Sequence, residues 1–159
     1  MTALSAALDA LDDAVRARKA RLAAAGEWFA CDTTRDGPAD ADALAALAVA
    51  VGPLPAAYRD LLALTDGYHD GLDDPAQVLG LFSIAEVLEP EDDVVEWQHA
   101  DPDDAVATRA RAIGRYLDVF VLLDGDRLVT IDSERELVPY DDLTTLIRVR
   151  TAALLALRP

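Results

Sequence analysis

Cysteine is almost missing from this chain: Cys31 stands alone. A single cysteine cannot form an internal disulfide, so the fold does not need an oxidising compartment. Cations are scarce as well. Fourteen Lys and Arg face thirty Asp and Glu, giving a net charge of −16 and a pI near 4.2. Phosphate backbones and anionic lipid surfaces both call for a cationic footprint, so neither nucleic acid nor a membrane is expected as a partner. A basic protein partner is favoured instead. No apolar run approaches the roughly 18 residues that a membrane span requires. Residues 1–10 lack a basic segment followed by an apolar one, so no signal peptide is expected and the expected compartment is cytoplasmic. Asparagine is absent, Lys19 is the only lysine and alanine is abundant, a skew that points to a GC-rich coding sequence and a bacterial source.

The recognisable catalytic arrangements are also lacking. There is no phosphate loop, no glycine-rich dinucleotide turn and no paired-cysteine metal site. His69 and His99 are the only histidines and lie thirty positions apart. The serines are Ser5, Ser83 and Ser133. Ser83 reads as a helix cap and Ser133 as a turn residue, which leaves no evident activated nucleophile. Carboxylates are plentiful, but they lie in polar runs with Pro and Gly rather than in the desolvated settings that tune catalytic acids. His69-Asp70, His99 with Asp101, Asp73-Asp74 and Glu91-Asp92-Asp93 could offer metal ligands, yet none has the ligand–Gly–ligand order of a calcium loop. The expectation is a protein with no catalytic residues, no cofactor and no metal. An enzyme using paired carboxylates is the least favoured alternative.

What the chain does contain is enough apolar material for a core. Hydrophobic residues make up 52% of 159 residues, which fits one domain. Leu4, Leu8, Leu11, Val15 and Leu22 form an apolar stripe at helical spacing over residues 2–25, with Gly26 as terminator and Asp12–Arg16 as a possible i,i+4 pair. Trp28 and Phe29 read as an apolar anchor before a loop. Asp40 or Asp42 can cap a second helix, with Leu44, Leu47, Ala48 and Val51 inward and Gly52-Pro53 ending it. A third helix opens at Leu54-Pro55, Pro55 taking the first helical position, and closes at Asp66-Gly67. Tyr68 to Pro75 reads as a polar loop and Gln77 to Phe82 as a strand. Ser83 and Glu86 form a capping box, and a short helix follows over 91–99. The period then changes. Asp118 to Leu123 is an apolar strand, Asp124-Gly125-Asp126 a hairpin turn, Arg127 to Asp132 its partner, and Leu137 to Tyr140 a further strand. Asp141 caps a last helix with Leu143, Leu146, Ile147, Leu154 and Leu157 inward. Helices first and a hairpin later give an α+β fold in a single domain.

One charge pattern stands out. From Asp66 to Asp104 there are thirteen acids and no Lys or Arg. Such a run is commonly a solubilising face. It can also focus negative potential and speed association with a basic partner. Tyr68, Phe82 and Trp97 interleave with it, and aromatics are typical interface anchors. The candidate partner-binding residues are therefore Asp70, Asp73, Asp74, Glu91, Asp92, Asp93, Tyr68 and Trp97.

Residues 52–67, GPLPAAYRDLLALTDG, carry a Leu-Pro pair opening a helix with an aromatic and a leucine pair, then an Asp-Gly step. This pattern, in Leu54, Pro55, Tyr58, Leu61, Leu62, Asp66 and Gly67, resembles the signature of the SUKH superfamily (the Smi–Knr family and its bacterial relatives). Leu79 to Val87 is similar to the strand and short acidic helix that follow it there, so the resemblance spans about residues 40–157. It implies an α+β domain with a mixed or antiparallel sheet flanked by helices, to which residues 1–26 add an N-terminal helix. It further implies an immunity protein that binds and neutralises a basic toxin, often a nuclease, in a toxin–antitoxin-like pair. The family motif is structural, so no catalytic residue transfers. A regulatory or scaffold module with a non-toxin partner is the alternative.

Overall fold

The computed structural model describes residues 2–26, 33–72, 79–100, 109–116, 119–132, 137–140 and 142–157. Trp28, Phe29, Asp73, Asp74, Asp101, Asp103, Asp104, Asp118 and Asp141 lie outside them.

The first helix, α1 (Ala3–Ala24), is capped by the Thr2 hydroxyl and buries Leu4, Leu8, Leu11, Val15 and Leu22, the whole expected stripe. Asp12 does not pair with Arg16. Arg16 turns to Asp13 at 2.7 Å, and Asp12 is engaged by Arg35 at 2.9 Å. Strand β1 (Thr34–Arg35) follows, then α2 (Ala41–Val51), capped by Asp40. On α2 only Leu47 is fully buried; Leu44 and Val51 are half-buried and Ala48 is exposed. In α3 (Ala56–Leu62), Pro55 is the N-cap rather than the first helical residue. The helix also stops at Leu62, short of Asp66-Gly67, where the Leu64 N–H tightens onto the Leu61 carbonyl in an i to i−3 bond.

Residues Tyr68–His69 form a strand, β2, rather than a loop; they pair with β1 on one side and with β3 (Leu79–Leu81) on the other. Next come α4 (Ile84–Leu88), with the Ser83–Glu86 capping box, and α5 (Asp92–His99). Strands β4 (Arg111–Tyr116), β5 (Val119–Asp124), β6 (Arg127–Ile131) and β7 (Leu137–Tyr140) lead to α6 (Leu143–Ala156). The N-cap of α6 is Asp142, whose side chain accepts from the Thr144 N–H.

Among the described residues seven strands lie in chain order, β1 to β7, and every pairing is antiparallel. The β4–β5 and β5–β6 pairs are short hairpins, whereas β1–β2 and β3–β4 are each bridged by helices, α2 with α3 and α4 with α5. Where β3 meets β4 the backbones crowd: a Cβ on Gly114 would sit 2.7 Å from the Gly80 carbonyl oxygen, beside a bulge between Ala112 and Gly114.

The apolar run of β5 divides by period two. Val121 and Leu123 join a large cluster with α1, α3, α4 and α6, whereas Phe120 and Leu122 join a smaller one with Val94 of α5. Helices therefore cover both faces of the sheet, and the strand is apolar throughout for that reason. Helix α1 packs on α6, and α3 also packs on α6, with Tyr58, Leu61 and Leu62 buried in the large cluster. The outcome is one α+β domain in which α1 is part of the core.

Two predictions follow from this packing. Leu61 is 2% exposed, so Leu61→Ala should cost about 2–5 kcal/mol in denaturant melts, and a loss below about 0.5 kcal/mol would contradict its core position. At the β5–β6 hairpin, the Arg109 hydrogen bond holds the Asp124 carboxyl below its ordinary value against the opposing effect of burial. A carboxyl lowered in the native state stabilises the fold above its unfolded pKa of about 3.9 and loses that effect as pH falls through the native value. Asp124→Asn should therefore melt below the parent at about pH 7, with the gap closing as pH is taken down to about 2. A gap unchanged at low pH would contradict the assignment.

Candidate partner-binding surface

The acids expected to meet a partner separate into two groups. Asp70, at the end of β2, is completely buried. Its Oδ1 accepts the Leu72 N–H at 3.1 Å; its Oδ2 accepts the Leu79 N–H at 2.9 Å and the Arg150 guanidinium at 2.7 Å from Nη2 and 3.2 Å from Nε. The Asp70 carbonyl also accepts the Thr33 hydroxyl. Arg150, on the inner face of α6, is itself 0% exposed, and its guanidinium lies 5.4 Å from the centre of the Tyr116 ring. Asp70 is thus an internal anchor joining β1, β2, β3 and α6, not a partner residue.

Tyr68 is likewise withdrawn, at 2% exposure. Burial, then the charges of Asp12 and Asp70, push its phenol pKa up, with Arg150 pulling the other way. A side chain buried to this degree presents no surface to a partner. Trp97 is half-buried and stacks on Phe120 with ring centres 4.0 Å apart, as part of the smaller cluster.

The motif residues turn out to be braces. Asp66 accepts the Ile84 N–H at 2.7 Å, so the turn after α3 caps the first residue of α4 across eighteen positions. Gly67 has φ +116°, and a Cβ there would lie 3.1 Å from Asp36 Oδ2 and 3.4 Å from Ser83. The position therefore suits glycine on both counts. Leu54 is half-buried against the large cluster, and Tyr58 is fully buried, where desolvation and then Asp66 push its phenol pKa up. Neither Asp66's long-range cap nor the Asp70–Arg150 pair was expected from the sequence. Arg150 did leave a signal: it falls between Ile147 and Leu154 on the apolar stripe of α6.

What remains outside is a ridge on α4 and α5. Glu86, Glu89, Glu91, Asp92, Asp93 and Glu96 are all exposed. Glu91 is the N-cap of α5, and Asp92 and Asp93 occupy its first turn, where the helix dipole favours negative charge. In space the acids are opposed by cations from later in the chain: Arg150 on Asp70, and Arg115 of β4 at 3.5 Å from Asp93. Phe82, Glu86, Pro90, Glu91, Asp93, Val94 and Arg115 line a small open hollow of about 40 Å³ beside the ridge. Among the described residues no group of three or more His, Cys, Asp or Glu is placed to hold a metal ion, and no helix is long and apolar enough to cross a membrane.

Removing one partner of a buried ion pair strands the other charge. Arg150→Met and Asp70→Leu should each cost about 3–5 kcal/mol, while the double variant should cost less than the sum of the two. Additive losses in denaturant melts would show that the two side chains do not depend on each other.

No protein-family model matches the chain, and no curated protein matches it.

Proposed function

We propose that the protein is a non-enzymatic binding protein whose α4–α5 ridge engages a basic protein partner, and that the partner is a toxin which the protein neutralises. The observation that carries this reading is the ridge itself. Six exposed carboxylates lie on or cap two consecutive short helices, and Arg115 reaches one of them, Asp93. Like charges crowded within residues 86–96 repel one another and oppose folding, which a basic partner would relieve. The ridge is also rigidly mounted: Asp66 and the Ser83–Glu86 box fix α4, and Val94 ties α5 to the sheet. A mounted charged surface needs little reordering on binding. The toxin identity is supported by the resemblance of the 52–67 motif to the SUKH superfamily, whose bacterial members inhibit toxins, nucleases among them.

The test is co-expression with the product of the adjacent gene, followed by association kinetics. Electrostatic steering predicts a kon that falls steeply as salt rises while koff changes less. Changing Glu91, Asp92 and Asp93 to Lys should slow association and abolish protection of the host cell; because these acids lie at the cap and first turn of α5, it should also cost about 1–3 kcal/mol of stability, so folding of the variant is checked alongside. Absence of a complex, or a kon indifferent to salt and to the reversal, would contradict the reading.

A further inference from the structure

We infer that His69 is a proton-operated latch on the turn that leaves β2. The latch does not depend on any partner: one hydrogen bond and its surroundings carry it.

His69 is the exposed residue of β2, and its Nδ1 accepts the Gly71 N–H at 3.0 Å. A backbone N–H can only donate, so Nδ1 carries no proton and the ring hydrogen sits on Nε2. The bond has the reach of an Asx turn, in which an Asn or Asp oxygen accepts from the residue two positions on. Gly71, with φ +62°, supplies the left-handed backbone at the bend. The next bond along is of a different kind. The Leu72 N–H ends on the buried Asp70 carboxylate, which Arg150 holds from the other side. The turn therefore has an inner clasp shut away from water and an outer clasp open to it.

Histidine is the side chain that changes charge between about pH 5 and 8. A proton on Nδ1 turns the acceptor into a donor and sets N–H against N–H, so the bond to Gly71 does not survive it. The surroundings do not offset the loss. Thr34 stands across from His69 on β1 and Gly80 on β3, and neither carries a charge to receive the new cation. The charged groups on this side of the sheet are engaged elsewhere. The Asp36 carboxylate lies beside Gly67 and Ser83, and Arg115, across from Gly80 on β4, reaches Asp93. Asp70, the next residue along, is turned to the opposite face and taken up by Arg150. Protonation thus opens the outer clasp and leaves the inner one shut.

The test is amide–water exchange at Gly71, read by NMR on the intact chain at about pH 8 and about pH 5 and corrected for the intrinsic pH dependence of exchange. In the parent, Gly71 protection should fall about fivefold at the lower pH, the weight of one net hydrogen bond, while Leu72 protection holds. His69→Asn keeps an acceptor of the same reach that takes no proton, so its Gly71 protection should be the same at both pH values. His69→Phe keeps a ring without an acceptor and should leave Gly71 at the low level at both. Parent protection that does not change with pH would overturn the latch. So would an equal fall in His69→Asn, which would place the titrating group elsewhere, or full protection in His69→Phe, which would show that the imidazole does not hold the turn.

Discussion

A single carboxylate holds four parts of this molecule together. Asp70 receives a backbone N–H from each side of the 73–78 segment, through Leu72 and Leu79, and a guanidinium from Arg150. Burying one charge in an apolar core is prohibitive, and burying two is tolerable only with close pairing and further hydrogen bonds. Both conditions are met on the Asp70 side. Arg150 Nη1 has no hydrogen-bond partner among the described residues. Because Arg150 belongs to α6, and α6 is what α1 and α3 pack against, the position of three helices relative to the sheet depends on this pair. A buried pair of this kind adds little net stability over an apolar substitute, but it penalises any arrangement in which either charge is buried alone.

The same interaction decides which acids can act outward. The middle of the chain is a long stretch of uncancelled negative charge in sequence. In space, Asp70 is consumed by Arg150, Asp66 caps α4, and Glu86 is half committed to Ser83. The residual surface is narrower than the sequence implies and is concentrated on α4 and α5. Beside it lies a small open hollow lined by both apolar and charged side chains.

Local signals were legible in the sequence and long-range ones were not. The Ser83–Glu86 box, the α1 stripe and the Asp124–Arg127 hairpin each depend on residues a few positions apart, so spacing alone identifies them. In the sequence Asp66-Gly67 looks like a local stop to α3, whereas Asp66 serves α4. Tyr68 and Asp70 look like loop residues because their neighbours are polar and glycine-rich; only pairing with β1 and β3 makes that segment a strand. Asp70's partner lies eighty positions away, and no spacing rule reaches that far. A charged residue on an apolar helical stripe, as Arg150 is, signals that a buried counter-charge exists without saying where. The SUKH resemblance rests on the 52–67 motif, whose residues the structure explains as braces.

The account stands on Asp70 being a closed, internal acceptor. Native-state hydrogen exchange at the Leu72 and Leu79 amides tests this most directly, since both N–H groups end on that carboxylate. If Asp70 is the anchor, both amides exchange only through global opening, with the same denaturant dependence as the core strand amide of Val121. Exchange at the rate of an exposed loop, independent of denaturant, would show that the carboxylate is open to water and that the fold does not hang on it.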